Sequence, residues 1–326
     1  MDNDFYRKFL EVLGSDNVLG ETYTLKLRDE GLRKRLSAAR DNHTLTLVLG
    51  AGASADSGLP DWEKLISNAV EALFAESSMP DVATMLDDFP GPIKARFCEA
   101  AAGLKAAFRS HLHRALYKNF DPEKPNSTLS ALSEFILGLD NSPAISNVIT
   151  YNFDNLLEVN LKRDIARYKL PVKIVSVYSE DSYRRSSGKN LIRIMHPHGF
   201  IPHDEGIEFI TNTNIVFSEI DYHKHYSDQL FWANLVQLNA FQLKTCLFLG
   251  VSFTDGNMRR LLDFASLRAA PLNNHVAIFQ QRDSPNEMDG AALKSFITER
   301  DLNSLNVNPF WIEQYKEIPG VLKSIR

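Results

Sequence analysis

The sequence predicts an α/β fold: a Rossmann-like parallel sheet with helices on both faces and a smaller helical cap. Short apolar runs alternate with amphipathic helical stretches along most of the chain, which is typical of a parallel sheet crossed by helices. The first apolar run, Leu45–Leu49, ends in a glycine-rich turn that leads towards a helix. Two helix-rich stretches, residues 66–145 and 203–245, depart from this alternation, and we expect them to form the cap.

An N-terminal helical extension, residues 1–41, is expected ahead of a sheet domain at residues 42–326. Apolar residues recur there at helical spacing, first at Phe5, Phe9, Val12 and Leu13 and then at Leu25, Leu32 and Leu36. These helices either supply assembly contacts or cover an edge of the sheet, and the sequence leaves both alternatives open.

The sheet domain begins with a buried strand at Leu45–Leu49 and a helix whose apolar stripe runs from Trp62 to Phe74. Helical and strand segments then alternate: "TLSALSEFILGL" precedes "ISNVITYN", "DNLLEVNLKRDIARY" precedes "VKIVSVY", and strand "LIRIMH" leads into "PHGFIP". A helical stretch at 218–240 precedes strand "TCLFLG", and helix "NMRRLLDFASL" precedes strand "HVAIFQ". The segment "PFWIEQY" and a short helix close the chain.

Composition argues against several classes of protein. The net charge is −5, which disfavours broad coating of nucleic acid. No apolar run approaches the ~20 residues that span a bilayer, and the first residues do not resemble a secretory signal. Cys98 and Cys246 are too few for a four-cysteine zinc site. We therefore expect a cytoplasmic protein without a membrane segment or a metal.

Ligands bind open parallel sheets at the carboxyl ends of the strands, and the first strand ends in Gly50-Ala51-Gly52-Ala53-Ser54. Glycines let the backbone approach a phosphate, and the following helix N-terminus adds N–H donors. Ala55 stands where the usual dinucleotide fingerprint has its third glycine. A plain tight turn would also explain these glycines, so the turn alone leaves both readings open.

Two further strand ends carry polar residues. Asn152 and Asp154 follow the strand that contains "NVIT", and a helix cap explains either Asp154 or Asn155 but leaves Asn152 without a local role. Gly250 and Ser252 end the strand "TCLFL"; Asp255 just beyond them is adequately explained as a helix cap.

Two histidines, His196 and His198, follow the strand "LIRIM". An imidazole can take a proton near neutral pH, although a structural histidine remains an alternative. Pro197 biases His196 towards extended backbone that finishes the strand, whereas Gly199 lets the chain turn directly after His198. His198 is therefore predicted to reach the strand ends. His223 and His225 are expected to be surface residues.

The order and spacing of "GAGASADSGLPDW", "TYNFD", "HG" and "GVS" resemble the sirtuin superfamily. With "NIVFSEIDY" and "GVSFTDGNMRRLL" included, the chain from about residue 42 onward resembles more closely the sirtuin-like NAD-hydrolase domain of bacterial anti-phage defence proteins. The chain departs from deacetylase sirtuins in two respects. It cannot build their four-cysteine zinc module, and Asp61-Trp62-Glu63 stands where they have Asp-Phe-Arg.

The resemblance implies hydrolysis of NAD, as a substrate, to nicotinamide and ADP-ribose. It implies that Gly50, Ala51, Gly52 and Ser54 hold the pyrophosphate, and that Gly250 and Ser252 line the adenosine half. It further implies that Asn152 binds the nicotinamide ribose and the attacking water, that Asp154 contacts the carboxamide, and that His198 is the catalytic base.

NAD depletion as an abortive-infection response has to be controlled. The resemblance therefore also implies a homo-oligomer, or a second defence protein such as a translocase ATPase or a nucleic-acid-guided sensor. Two other classes stay open: a non-catalytic module that binds NAD or ADP-ribose, and an NAD-dependent protein deacylase or ADP-ribosyltransferase. Nicotinamide release without a protein acceptor would separate them.

Overall fold

The predicted α/β fold is confirmed in a computed structural model that describes residues 22–74, 82–86, 88–138, 142–204, 214–228, 230–267, 275–280 and 290–325. Within these ranges seven parallel strands form one sheet in the order β3-β4-β2-β1-β5-β6-β7. The strands are β1 (Leu45–Leu49), β2 (Asn147–Thr150), β3 (Lys173–Val177), β4 (Leu191–Met195), β5 (Thr245–Leu249), β6 (His275–Gln280) and β7 (Val307–Ile312). The helix predicted around Phe5–Leu13 lies outside the described residues.

The helices of the described residues are α1 (Thr22–Asp41), α2 (Trp62–Phe74), α3 (Val82–Met85), α4 (Gly91–Ala102), α5 (Lys105–Leu116), α6 (Ser127–Leu137), α7 (Leu156–Tyr168), α8 (Glu180–Arg185), α9 (Glu219–Ser227), α10 (Trp232–Leu243), α11 (Gly256–Ser266), α12 (Gly290–Ser304) and α13 (Ile318–Ser324). The predicted helix 62–74 coincides with α2. The stretch predicted as one helix at 218–240 is instead two helices, α9 and α10.

The strands alternate their side chains between two apolar cores, one on each face of the sheet. In β1, Leu47 and Leu49 pack with α6, α7 and α13, whereas Val48 packs with α10 and α11 on the opposite face. Successive side chains of a strand point to opposite faces, so two covered faces bury every strand position and favour apolar residues there. All five β1 residues are buried, and Thr46 is the one polar residue among them.

Helix α1, which we assigned to an N-terminal extension, buries Leu32, Leu36 and Ala39 in the same core as Leu47 of β1. The Ser37 hydroxyl also donates to the Ile325 carbonyl at 2.6 Å, which ties α1 to the end of the chain. The described part of the extension therefore packs on the sheet domain, where it contacts the central strands β1 and β5.

The region expected to form the cap divides between two kinds of packing. Helix α2 packs against α3, α4 and α5, and α9 packs against α4 and α11, so these helices lie together beside the strand ends. Helices α6 and α10 lie on the two faces of the sheet, and the buried sides of α2, α4 and α5 continue the core to which α6 belongs.

The strand order reverses between β1 and β5. After β1 the chain builds β2, β3 and β4 on one side, and from β5 it builds β6 and β7 on the other. The loops that follow β1 and β5 therefore leave in opposite directions and open a crevice at the carboxyl edge, where ligands bind in this architecture.

Candidate active site

A cavity of about 740 Å³ opens at this crevice, within the usual size range of small-molecule sites. The cavity is lined by every residue to which the resemblance assigns a role: Gly50, Ala51, Gly52, Ser54, Asn152, Asp154, His198, Gly250 and Ser252. They come from the loops after β1, β2, β4 and β5. Helices α2 and α9 cover its sides through Trp62 and Tyr222.

The floor of the cavity is made by two glycine turns in direct backbone contact. A Cβ placed on Gly50 would lie 2.4 Å from the Gly250 carbonyl oxygen, and one on Gly250 would lie 2.5 Å from the Ala53 nitrogen. The Gly50 and Gly52 N–H groups donate to Leu249 and Gly250 carbonyls at 3.0 and 3.1 Å. These two hydrogen bonds hold the turns together. The glycines therefore allow the two backbones to approach closely, and the Gly50 and Gly52 N–H groups are already used within the protein.

The segment between the glycines and the first sheet-domain helix is folded into two short 3₁₀ turns, Ala51–Ala53 and Ala55–Ser57. Helix α2 begins after them at Trp62, where the apolar stripe predicts it. Asp61 caps α2 by accepting the Lys64 N–H at 2.9 Å. The positive end of α2 is therefore set back from the glycine floor.

We expect Gly250→Ala to destabilise the protein and weaken ligand binding more than Gly103→Ala. The two glycines have almost the same positive φ, +68° and +69°, at which a residue with a Cβ is strained, so both substitutions carry a backbone penalty. The added methyl group meets backbone atoms only at Gly250, because nothing lies within 4 Å at Gly103. Denaturant unfolding and calorimetric NAD titration of both variants measure the difference, and equal losses would contradict the close-contact interpretation.

Asn152, Ser54 and Asp154 form a hydrogen-bonded chain across the cavity. The Asn152 Nδ2 group donates to Ser54 Oγ at 3.2 Å, and the Ser54 hydroxyl donates to Asp154 Oδ2 at 3.0 Å. The other Asp154 oxygen accepts the Leu156 N–H at 3.0 Å and so supports the start of α7. Burial raises the pKa of Asp154, and the Leu156 and Ser54 hydrogen bonds partly offset this effect. These hydrogen bonds fix the direction of the Asn152 side-chain amide, which does not cap a helix.

His198 reaches the cavity as predicted, and three side chains surround its ring. Tyr151 and Tyr222 make T-shaped ring contacts with it at centroid distances of 4.9 and 5.5 Å, and Asp255 Oδ2 lies 3.2 Å from Nε2. The turn after His198 requires glycine: Gly199 has φ +107°, and a Cβ there would lie 2.3 Å from the Asn214 carbonyl oxygen.

His196 lies beneath the site and outside the cavity. Its Nδ1 is 3.1 Å from the Asn152 carbonyl and its Nε2 is 2.9 Å from Glu158 Oε1, with both side chains almost completely buried. A carbonyl oxygen can only accept a hydrogen bond, so Nδ1 is the donor to Asn152. The contact between Nε2 and Glu158 Oε1 also needs a proton, which lies between the imidazole and the carboxylate. Ser176 also donates to this Glu158 oxygen at 2.9 Å. The pair anchors the backbone of the loop that presents Asn152.

Several residues of the site were missed or misjudged from the sequence. Asp255 does cap α11 but also faces His198. Tyr151 and Tyr222 lie in the motifs "TYNFD" and "NIVFSEIDY", but the sequence analysis gave them no role. His225 was expected at the surface but is buried against Phe231, whereas His223 is exposed and lines the cavity. The signal that could have identified Asp255 is its place in the strand-end motif "GVSFTD", alongside Gly250 and Ser252.

The charges that line the cavity are mostly carboxylates. Asp61, Glu63 and Glu219 join Asp154 and Asp255, and among the described residues that line the cavity there is no lysine or arginine.

Across the part of the chain that the structure describes, no group of three or more His, Cys, Asp or Glu side chains is arranged to hold a metal. Cys98 and Cys246 are buried free thiols, far apart in the sequence. No described helix is long and apolar enough to cross a membrane.

Two comparisons show which known proteins this chain is similar to. Residues 146–307 match the model of the SIR2-like domain, a range that includes Asn152, Asp154, His198, Gly250 and Ser252. The chain is 25% identical over 308 residues to the NAD(+) hydrolase ThsA of Enterococcus faecium, in an alignment that covers 90% of this chain. The chain spans 58% of the length of that relative.

Proposed function

We propose that this chain, which carries a SIR2-like domain, hydrolyses NAD to nicotinamide and ADP-ribose. The observation that carries the proposal is the convergence of Asn152 and His198 on one cavity at the β1–β5 crevice. The similarity to an NAD(+) hydrolase supports the same activity. NAD is then the substrate, and no metal takes part in the proposed reaction.

The reaction breaks the N-glycosidic bond between nicotinamide and the ribose anomeric carbon, and water supplies the new oxygen. The bond electrons leave with nicotinamide, and the transition state resembles an oxocarbenium ion, as in glycoside cleavage. Asn152, held by Ser54, orients the ribose and the water, and Asp154 contacts the carboxamide. His198 takes the proton that the water loses as it attacks.

The carboxylates of the cavity support the placement of the nicotinamide half of this substrate near His198. The nicotinamide ring of NAD is cationic until the glycosidic bond breaks, and the transition state carries positive charge on the ribose. The carboxylates of Asp154, which is hydrogen-bonded to Ser54, and of Asp255, which lies beside His198, favour this positive charge over a neutral ligand. The pyrophosphate would lie on the backbone of Gly50–Ser54, and Gly250 and Ser252 would line the adenosine half.

The proposed biological role is NAD depletion in anti-phage defence by a cytoplasmic protein. Unregulated loss of NAD would kill the host cell, so activity is proposed to depend on assembly into a homo-oligomer or on a second defence protein. Exposed apolar side chains on the cap, such as Ile93, Phe97 and Leu104, support a role for this surface in assembly.

Chromatography of NAD incubated with the purified protein tests the proposal. We expect nicotinamide and ADP-ribose in equal amounts without any protein acceptor, with a specific activity that rises with protein concentration. Binding without turnover at every concentration would favour a regulatory module. Nicotinamide release that requires an added protein would favour a deacylase or an ADP-ribosyltransferase.

A further inference from the structure

Asp255 uses its two carboxylate oxygens for two different purposes. Oδ1 accepts the Met258 N–H at 2.6 Å and caps α11. Oδ2 is buried, receives no well-aligned hydrogen bond from the described residues, and lies 3.2 Å from His198 Nε2. A helix cap requires only one oxygen, and serine or threonine would provide it. The second oxygen is therefore a buried charge that the cap does not explain.

The surroundings of Asp255 keep it ionised. Burial raises the pKa of this carboxyl group, but His198, the Met258 N–H and Tyr222 together lower it below its ordinary value. The groups that face His198 are Tyr151 from the loop after β2, Tyr222 from α9 and Asp255 at the start of α11. Asp255 is the one carboxylate among these three.

We propose that Asp255 is the positioning residue for His198: its Oδ2 keeps the proton of the neutral imidazole on Nε2 and stabilises the imidazolium that forms when His198 takes a proton. This inference rests on the proposed NAD hydrolysis. A carboxylate beside an imidazole fixes its tautomer and orientation in hydrolases of other folds, without itself becoming protonated. In the ring with Nε2 protonated, Nδ1 holds the lone pair that accepts the proton from water.

Asp255→Asn is the informative variant because asparagine caps helices about as well as aspartate. We expect kcat for NAD hydrolysis to fall by ~10²-fold or more, while the Kd for NAD and the melting temperature stay near wild type. Loss of the carboxylate removes the group that orients the His198 ring, so the effect falls on kcat and not on NAD binding. Asp263→Asn, which neutralises an exposed carboxylate on the same helix, is the matched control and keeps wild-type values.

Histidine ¹⁵N NMR provides a readout that does not require turnover. His198→Ala identifies the His198 signals among those of the nine histidines. Wild type is expected to show the Nε2-protonated ring, and Asp255→Asn and Asp255→Ser, which both retain a cap, are expected to lose that preference. An unchanged His198 tautomer in these variants, or wild-type kcat in Asp255→Asn, would overturn the proposal. Absence of NAD hydrolysis in wild type, with the expected NMR change present, would instead refute the proposed function alone.

Discussion

Replacing His198 with alanine is expected to lower kcat for NAD hydrolysis by ~10²–10⁴-fold, because a positioned general base contributes about that much. NAD should still bind, since the glycine floor formed by Gly50 and Gly250 is untouched. The folded state should also survive, because the His198 ring lies at a cavity wall between Tyr151 and Tyr222 rather than inside a core. Turnover, calorimetric NAD binding and denaturant unfolding are measured on the same preparation.

His196→Ala is the paired variant, and its effect should be on stability. Removing the imidazole leaves the Glu158 carboxylate buried without its partner, and breaking a buried pair in this way costs ~3–5 kcal/mol. Activity should fall less than in His198→Ala, through loss of the contact that anchors the Asn152 carbonyl. The assignment is reversed if His196→Ala is inactive and as stable as wild type while His198→Ala hydrolyses NAD normally.

Asn152→Ala is expected to reduce NAD turnover by ~10²-fold or more, because a positioned polar group is lost where charge develops. The fold should persist, since α7 is supported by Asp154 and the removed amide donates only across the cavity to Ser54. Because the ribose and water are no longer oriented, the loss should fall mainly on kcat. Steady-state kinetics with a melting curve for the same protein provide the measurement.

Asn160→Ala is the matched control for this variant. Asn160 lies on α7, and its Nδ2 also makes one hydrogen bond, to the Leu156 carbonyl at 2.8 Å, but it does not line the cavity. We expect wild-type turnover from it. Comparable turnover in Asn152→Ala and wild type would remove Asn152 from the proposed mechanism.

The sheet was predictable because both of its faces are covered. A strand buried on both sides is mostly apolar at successive positions, so Leu45–Leu49 was identified with its observed bounds. Strand β7 was not assigned as a strand, since Pro309 within it cannot donate to a ladder and is tolerated only at the sheet edge it occupies. Helices α9 and α10 were merged because apolar residues continue through the short break between Ser227 and Trp232.

The site residues were predictable to the extent that they follow strands. The carboxyl ends of parallel strands meet at one edge, so Gly50, Asn152, His198 and Gly250 had to lie near one another once the sheet was inferred. The separation of His198 from His196 also followed from local chemistry, because Gly199 alone permits the positive φ at the turn. Their catalytic roles remain predictions.

The sequence by itself therefore determined the fold class, the strand ends and the residues that gather there, because burial periodicity and turn chemistry are local properties. Only the tertiary structure decided which side chains oppose one another. Ser54 meets Asp154 across 100 residues of chain, and His196 meets Glu158 across 38. Asp255 was indistinguishable from a simple helix cap until the packing of α11 beside the loop after β4 placed its second oxygen against His198. Such pairings depend on strand order and helix packing, which are set by contacts between segments far apart in the chain and leave no local pattern.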